Sequence, residues 1–217
     1  MTGAICVAHK QVGLSNTWIA LTALQRPQGT VLLTAEGTTV AKQRNVLAQQ
    51  ALDLGAAWVL FVDDDHVFPP DALLRLLAWE IPVVGGLYVT RTPPYRSTAM
   101  HVTREPERRF TSLTVEEMSR DGLVDVDCLG MGFTLIRREA FDAVTAPYFM
   151  LGRFAPDEMG EDTYFTSQVR AAGLRVACDV GLVIPHLAVK AVVPARGRVE
   201  FRDLADALRS TREEVSA

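Results

Sequence analysis

The sequence predicts an α/β domain with a mostly parallel central sheet flanked by helices. Three observations support this. Short apolar runs alternate with stretches of helical spacing from Ile5 to Val89, the strand–helix–strand order of α/β domains. The densest run, Ala56 to Val62, lacks polar alternation, as expected of a parallel strand covered on both faces. A chain of 217 residues with 48% hydrophobic content can bury a core without disulfides or structural metal.

Taken in order, Ile5 to Ala8 is a first buried strand and Val31 to Thr34 a second. Val40 to Leu54 carries Val40, Leu47, Ala51 and Leu54 at helical spacing, with Gly55 where a helix C-terminal glycine belongs. Trp58 to Val62 is the next strand. Pro69 and Pro70 open a helix over Asp71 to Glu80, with Leu73, Leu76 and Leu77 inward. Pro82 to Val89 follows as a strand broken at Gly85 and Gly86, a pair that either permits close packing or borders a ligand.

Beyond it, Arg91 to Arg120 is rich in Pro, Arg, Thr and Glu and is expected as loop with little core. Val124 to Cys128 and Phe133 to Ile136 read as strands around a bend at Gly130-Met131-Gly132. Asp162 to Ala172 is a helix with Phe165, Val169 and Ala172 on one face and Gly173 behind it. Leu174 to Cys178 and Leu182 to Ile184 are short strands. Charge rises from Arg196, and Phe201, Leu204 and Leu208 would line a final helix. Residues 1–190 are therefore expected as one domain, and 191–217 as a C-terminal extension, helical or partly disordered.

Composition narrows the function classes. A formal net charge of −4 argues against a dedicated nucleic-acid binder, which carries a basic surplus. Cys6, Cys128 and Cys178 form no CxxC pair, so no zinc knuckle or redox motif is expected, only reduced, buried thiols. No basic segment followed by a long apolar run opens the chain. Ala56 to Val62 is too short to cross a bilayer. The expectation is a cytoplasmic protein without membrane contact.

The acidic residues are where chemistry is expected. Asp63, Asp64 and Asp65 directly follow the buried strand, and ligands of open α/β sheets bind at the carboxyl ends of strands. Strand alternation would put Asp63 and Asp65 on one side and Asp64 on the other. Three adjacent carboxylates resist ionising together unless a cation is near, and a hard divalent ion takes oxygen ligands. The plainer reading is that one Asp caps the following helix, although Asp71 stands closer to it.

His186 follows Leu182 to Ile184 and a proline; it reads as a packed side chain or, with Asp63 and Asp65, as a nitrogen ligand for a manganese-like ion. Glu161 and Asp162 open a helix, as N-terminal caps or as an ionised proton acceptor. Arg44 is either a solvated helix charge or a reach toward a diphosphate.

The segment VLFVDDDHVFPPDALLRLL, then CLGMGFTLIRREAF, then GEDTYFTSQVRAAGLRV, then VIPHL resembles, in this order, the GT-A nucleotide-sugar transferase family. The resemblance spans about Ile5 to His186. It implies a single GT-A, Rossmann-like domain that moves a sugar from a nucleotide-diphosphate donor to an acceptor hydroxyl. It implies Asp63 near the ribose or a metal-bound water, with Asp65 and His186 on Mn2+ or Mg2+, and Asp64 at the donor. Asp162, with Glu161 beside it, would face the acceptor; Ala8 and His9 would lie near the base, and Arg44 near the donor. The acidic pair suggests inversion, and Arg91 to Arg109, with Tyr95, would cover the site.

The first strand lacks the Pro-x-Tyr-Asn ending of glycosyltransferase family 2, and the Gln-x-x-Arg-Trp motif of processive synthases is absent. The expected donor is a UDP- or GDP-sugar. The acceptor is open: a small molecule, a glycan, a protein or a modified DNA base, the last suggested by a basic strip of Arg91, Arg96, Arg104, Arg108 and Arg109 that also reads as a solvated loop. Two other readings stand. A sugar-1-phosphate nucleotidyltransferase would need a glycine-rich basic loop where AHKQVGLSNTW offers only Gly13. A non-catalytic nucleotide-binding module would need no acidic pair at 161–162.

Overall fold

Apolar strands that alternate their side chains between two covered faces organise this chain. The computed structural model describes residues 2–9, 15–37, 39–103, 109–154, 157–188, 190–195 and 198–203. Its elements, in order, are β1 (Gly3–His9), α1 (Ser15–Ala23), β2 (Val31–Glu36), α2 (Val40–Asp53), β3 (Trp58–Asp63), α3 (Ala72–Ala78) and β4 (Val83–Leu87). There follow β5 (Met100–Thr103), β6 (Arg109–Ser112), α4 (Val115–Met118), β7 (Leu123–Asp125), β8 (Phe133–Arg137) and α5 (Arg138–Asp142). The chain continues through β9 (Gly152–Phe154), β10 (Asp157–Met159), α6 (Glu161–Ala171), β11 (Val176–Val183), β12 (Lys190–Ala195) and β13 (Arg198–Asp203).

The central sheet has seven strands in the order β2-β1-β3-β8-β4-β11-β7. β1 pairs in parallel with β2 and β3, and β4 with β11. β8 runs antiparallel to both β3 and β4, and β7 antiparallel to β11. The sheet is thus mostly parallel, as expected, with β8 reversed inside it and β7 reversed at one edge.

Both faces are covered. Val59 and Phe61 of β3 pack with Leu47, Ala48 and Ala51 of α2 and Phe165 and Val169 of α6. Trp58, Leu60 and Val62 face the other way, onto Ala20 and Leu21 of α1 and Ala72, Leu73 and Leu76 of α3. Each fully buried side chain such as Phe61 or Leu47 contributes about 1.5–3 kcal/mol. Of the residues read as inward-facing, Val40, Leu54 and Ala172 are exposed; they sit at helix ends, beyond the reach of the sheet. Gly55 and Gly173 take positive φ, +76° and +83°, where a side chain would be strained.

The structure departs from the sequence expectations at four points and adds elements they lack. β4 is not broken by its glycines but runs through them. A Cβ on Gly85 would lie 2.5 Å from Thr134 Oγ1, and one on Gly86 2.5 Å from Ile184 Cγ1, so the pair serves close packing against β8 and β11. Arg91 to Arg120 is not plain loop: β5 and β6 form an antiparallel hairpin, α4 carries a capping box of Thr114 and Glu117, and Ser97, Ala99 and Leu113 are buried. Leu174 to Cys178 and Leu182 to Ile184 are not two strands; β11 spans most of both, with a register shift between Asp179 and Val183. The expected C-terminal helix is replaced by an antiparallel pairing of β12 with β13, which takes Phe201 into β13; Leu204 and Leu208 lie outside the described residues. Finally, α1, α5 and the β9–β10 hairpin were not foreseen. Among the described residues no helix is long and apolar enough to cross a membrane.

Candidate functional site

The parallel register sets the geometry of the site. Ala8 of β1 stands opposite Asp63, so the carboxyl ends of β1 and β3 lie side by side. β3 ends at Asp63 and the chain turns through Asp64 and Asp65. The turn cancels the strand alternation, so Asp63 and Asp65 meet different partners. The Asp63 carboxylate accepts from Arg44 Nη2 at 2.7 Å. Arg44 Nη1 donates in a short contact to Glu161 Oε1. One guanidinium therefore ties the end of β3 to the start of α6.

Arg44 is 3% exposed. Burial alone would lower its pKa, but the charges of Asp63, Glu161 and Asp162 outweigh it and hold it cationic. Glu161 is pushed up, because its burial outweighs the attraction of Arg44. Burial works against both charges, but it is outweighed at Arg44, which faces several carboxylates, and prevails at Glu161, which shares its one arginine with Asp63.

The second group forms around Asp65. Leu187 N–H donates to the Asp65 carbonyl at 2.8 Å, Val67 N–H donates to the Pro185 carbonyl at 3.1 Å, and His66 bridges to His186. This short pairing brings the late histidine to the acidic turn. His186 Nδ1 lies 2.8 Å from the Val89 carbonyl, an oxygen that only accepts, so Nδ1 carries the proton. The other ring nitrogen, Nε2, faces Asp65 Oδ2 at 3.4 Å. Arg91 Nη1 meets the same oxygen at 2.7 Å. Burial pushes the Asp65 carboxyl up, but the imidazoles of His186 and His66 outweigh it and hold it well below the usual carboxylate range.

Among the described residues, Asp65, His66 and His186 form a group able to hold a metal ion, each offering a donor atom within 4.8 Å of the others. A carboxylate with imidazole nitrogens suits a divalent transition ion, so the residues present fit the expected Mn2+ better than Mg2+. Asp63, expected among the ligands, lies outside the group with its Oδ1 on Arg44. His66, next to the Asp triplet, lies within the group, and its only sequence signal is adjacency to Asp65.

The other expected residues are distributed as follows. Asp162 is half-buried at the second position of α6, its Oδ1 accepting from Thr163 N–H at 2.6 Å. Neither Glu161 nor Asp162 is the N-cap; Gly160 is, without a side-chain bond. Asp71 caps α3 in position only, also without a side-chain bond. Asp64 offers its carbonyl to Thr17 Oγ1 at 3.0 Å, which anchors α1 on the turn. His9 is half-buried, its carbonyl bonded by Gln43 Nε2 at 2.7 Å and its ring edge-on to Trp18. Of the expected covering segment, Arg91 reaches the site, while Tyr95 and Arg96 are exposed. Arg104 and Arg108 lie outside the described residues, and of Arg109 only the backbone is described.

No family model matches the chain. No curated protein matches it either. Solved structures do. A197 from STIV matches with a TM-score of 0.62 at 21% identity, over 94% of this chain and 95% of that one. The shared property is the fold. S. aureus TarS 1–349 matches with a TM-score of 0.50 at 15% identity, over 85% of this chain and 59% of that one. The same TarS fragment in complex with UDP matches with a TM-score of 0.54 at 14% identity, over 87% and 61%. This chain thus spans about three-fifths of the TarS fragment. These likenesses support a GT-A-like α/β architecture with a large, mostly parallel sheet flanked by helices.

Proposed function

We propose that the protein is a metal-dependent glycosyltransferase that transfers a sugar from a UDP- or GDP-sugar to an acceptor hydroxyl, with inversion. One observation supports this most strongly. Arg44 bonds both Asp63 and Glu161, so the strand-end acidic motif and the helix-start acidic motif share one site. The likeness to a TarS structure holding UDP fits a nucleotide donor.

In this reading Asp65 and His186 hold the ion, and His186 is held ready by its bond to Val89. A bound divalent ion supplies charge neutralisation at the departing diphosphate. Arg44 is engaged by two carboxylates and acts by positioning, keeping Asp63 and Glu161 fixed beneath the donor. Ala8 and His9, at the end of β1 beside Asp63, would meet the base. Because Glu161 is taken by Arg44, Asp162 is the proton acceptor. The acceptor oxygen forms a bond to the anomeric carbon, its proton passes to Asp162, and the diphosphate leaves with the electron pair of the broken bond.

The test is a panel of UDP-, GDP- and dTDP-sugars screened for thermal stabilisation with manganese and with chelator. One nucleotide class at about 100 times its Kd should raise Tm by about 5–10 °C with metal only. No shift with any donor would overturn the proposal.

A further inference from the structure

We infer that His66 is a third protein ligand of the cation, giving a site of two imidazoles and one carboxylate that selects first-row transition ions over magnesium. The inference rests on the cation reading above and deepens it. His66 is fully buried, at 0% exposure, yet neither of its ring nitrogens has an aligned hydrogen-bond partner among the described residues. Its Nδ1 lies 3.1 Å from Asp65 Oδ1, off the hydrogen-bond direction. A buried ring nitrogen without a hydrogen bond is rare enough to require a cause, and coordination to an ion is one.

The surroundings hold the ring in place. It stacks on His186 with centroids 4.3 Å apart and planes 19° apart, and meets the edge of Tyr88 at 4.6 Å. Gly132 leaves it room: a Cβ there would fall 2.6 Å from His66 Cε1. Tyr88 in turn accepts from Gly132 N–H at 2.8 Å. Gly132, Tyr88 and His186 thus confine the imidazole beside Asp65 instead of letting it turn to solvent.

The donor atoms of Asp65, His66 and His186 lie within 4.8 Å of one another. Donors on opposite sides of one ion, with bonds of about 2.1 Å, stand about 4.2 Å apart. That is the upper limit for a pair of donors, so the set would draw together and its two stacked rings would turn toward each other to close on one ion. Magnesium holds to oxygen ligands and water, whereas imidazole nitrogen favours the transition ions, increasingly along the row.

The experiment titrates the full chain with Mn2+ and reads the bound ion by pulsed electron paramagnetic resonance, which counts coupled nitrogens. Native protein should show two imidazole nitrogens, and His66→Phe, which keeps the stacked ring, should show one. Mn2+ should bind the variant at least about tenfold more weakly, with Mg2+ binding changed far less. One nitrogen in the native protein, or native Mn2+ affinity in His66→Phe, would overturn the inference and make His66 a packing residue. In that case loss of Mn2+ binding in Asp65→Asn would still leave Asp65 and His186 as ligands. Absence of Mn2+ binding by the native protein would overturn the cation reading itself. The nitrogen count on native protein needs no variant, so a misfolded His66→Phe would not leave the matter open.

Discussion

A guanidinium at 3% exposure between two carboxylates is expensive to unpair. Arg44→Met would leave Asp63 and Glu161 facing each other without a cation. Removing one partner of a buried ion pair destabilises by about 3–5 kcal/mol; because Asp63 is 28% exposed, the lower end is expected, measured by urea denaturation. A loss below 1 kcal/mol would show that Arg44 is not the tie between the two motifs. Asp65 and Asp162 should fail differently. Asp65→Asn should weaken metal-dependent nucleotide binding and activity together. Asp162→Asn should keep fold and donor affinity and lose about 10²–10⁴ in turnover, the usual contribution of a general base. Near-native turnover in Asp162→Asn would transfer the proton to another group.

At this scale the Asp triplet, the late histidine and the acidic pair were legible, because each stands at an element boundary. The partners of Asp63 and Asp65 were not. Alternation applies only while the strand lasts, and β3 stops at Asp63. His66 escaped notice because its burial and its contact with His186 come from the long-range pairing of residues 65–67 with 185–187.

At the scale of elements, the strands β1 to β4 and the helices α2, α3 and α6 were readable because packing on a sheet imposes apolar periodicity. β5, α4 and α5 were not. β5 is only half-buried, α4 buries no residue, and α5 spans five residues, so hydrophobicity gives them little periodic signal. α1 was missed for another reason: Ile19 is 65% exposed while Thr17 is buried, an inversion of the amphipathic pattern. The glycines of β4 offer a test. In Gly85→Ala the new methyl would lie 2.5 Å from Thr134 Oγ1, 2.9 Å from Leu129 Cδ2 and 3.0 Å from the Phe133 carbonyl. Over-packing of this kind costs about 1–3 kcal/mol, read as a lower denaturant midpoint with unchanged slope. A neutral or stabilised variant would show that β4 and β8 can part without penalty.

Over the whole molecule, the parallel sheet was legible and its two reversals were not, since an apolar run has no direction. Cys6, Cys128 and Cys178 are free and buried, as composition suggested. Burial pushes Cys6 and Cys178 up to about 12 and Cys128 up to about 11. Because a raised thiol pKa keeps the neutral form below that value, a thiol reagent at pH 8 should modify the folded protein at none of the three positions and all three after unfolding. Rapid modification of the native chain would contradict the packing described. In the proposed function, a metal ion held by Asp65 would carry the affinity for the nucleotide diphosphate. Isothermal calorimetry of UDP and GDP, with manganese and with chelator, on native protein and Asp65→Asn, tests it most directly. The expected result is binding of at least one nucleotide that weakens at least about tenfold on chelation and is insensitive to chelation in the variant. Equal affinity with and without metal in the native protein would contradict the claim.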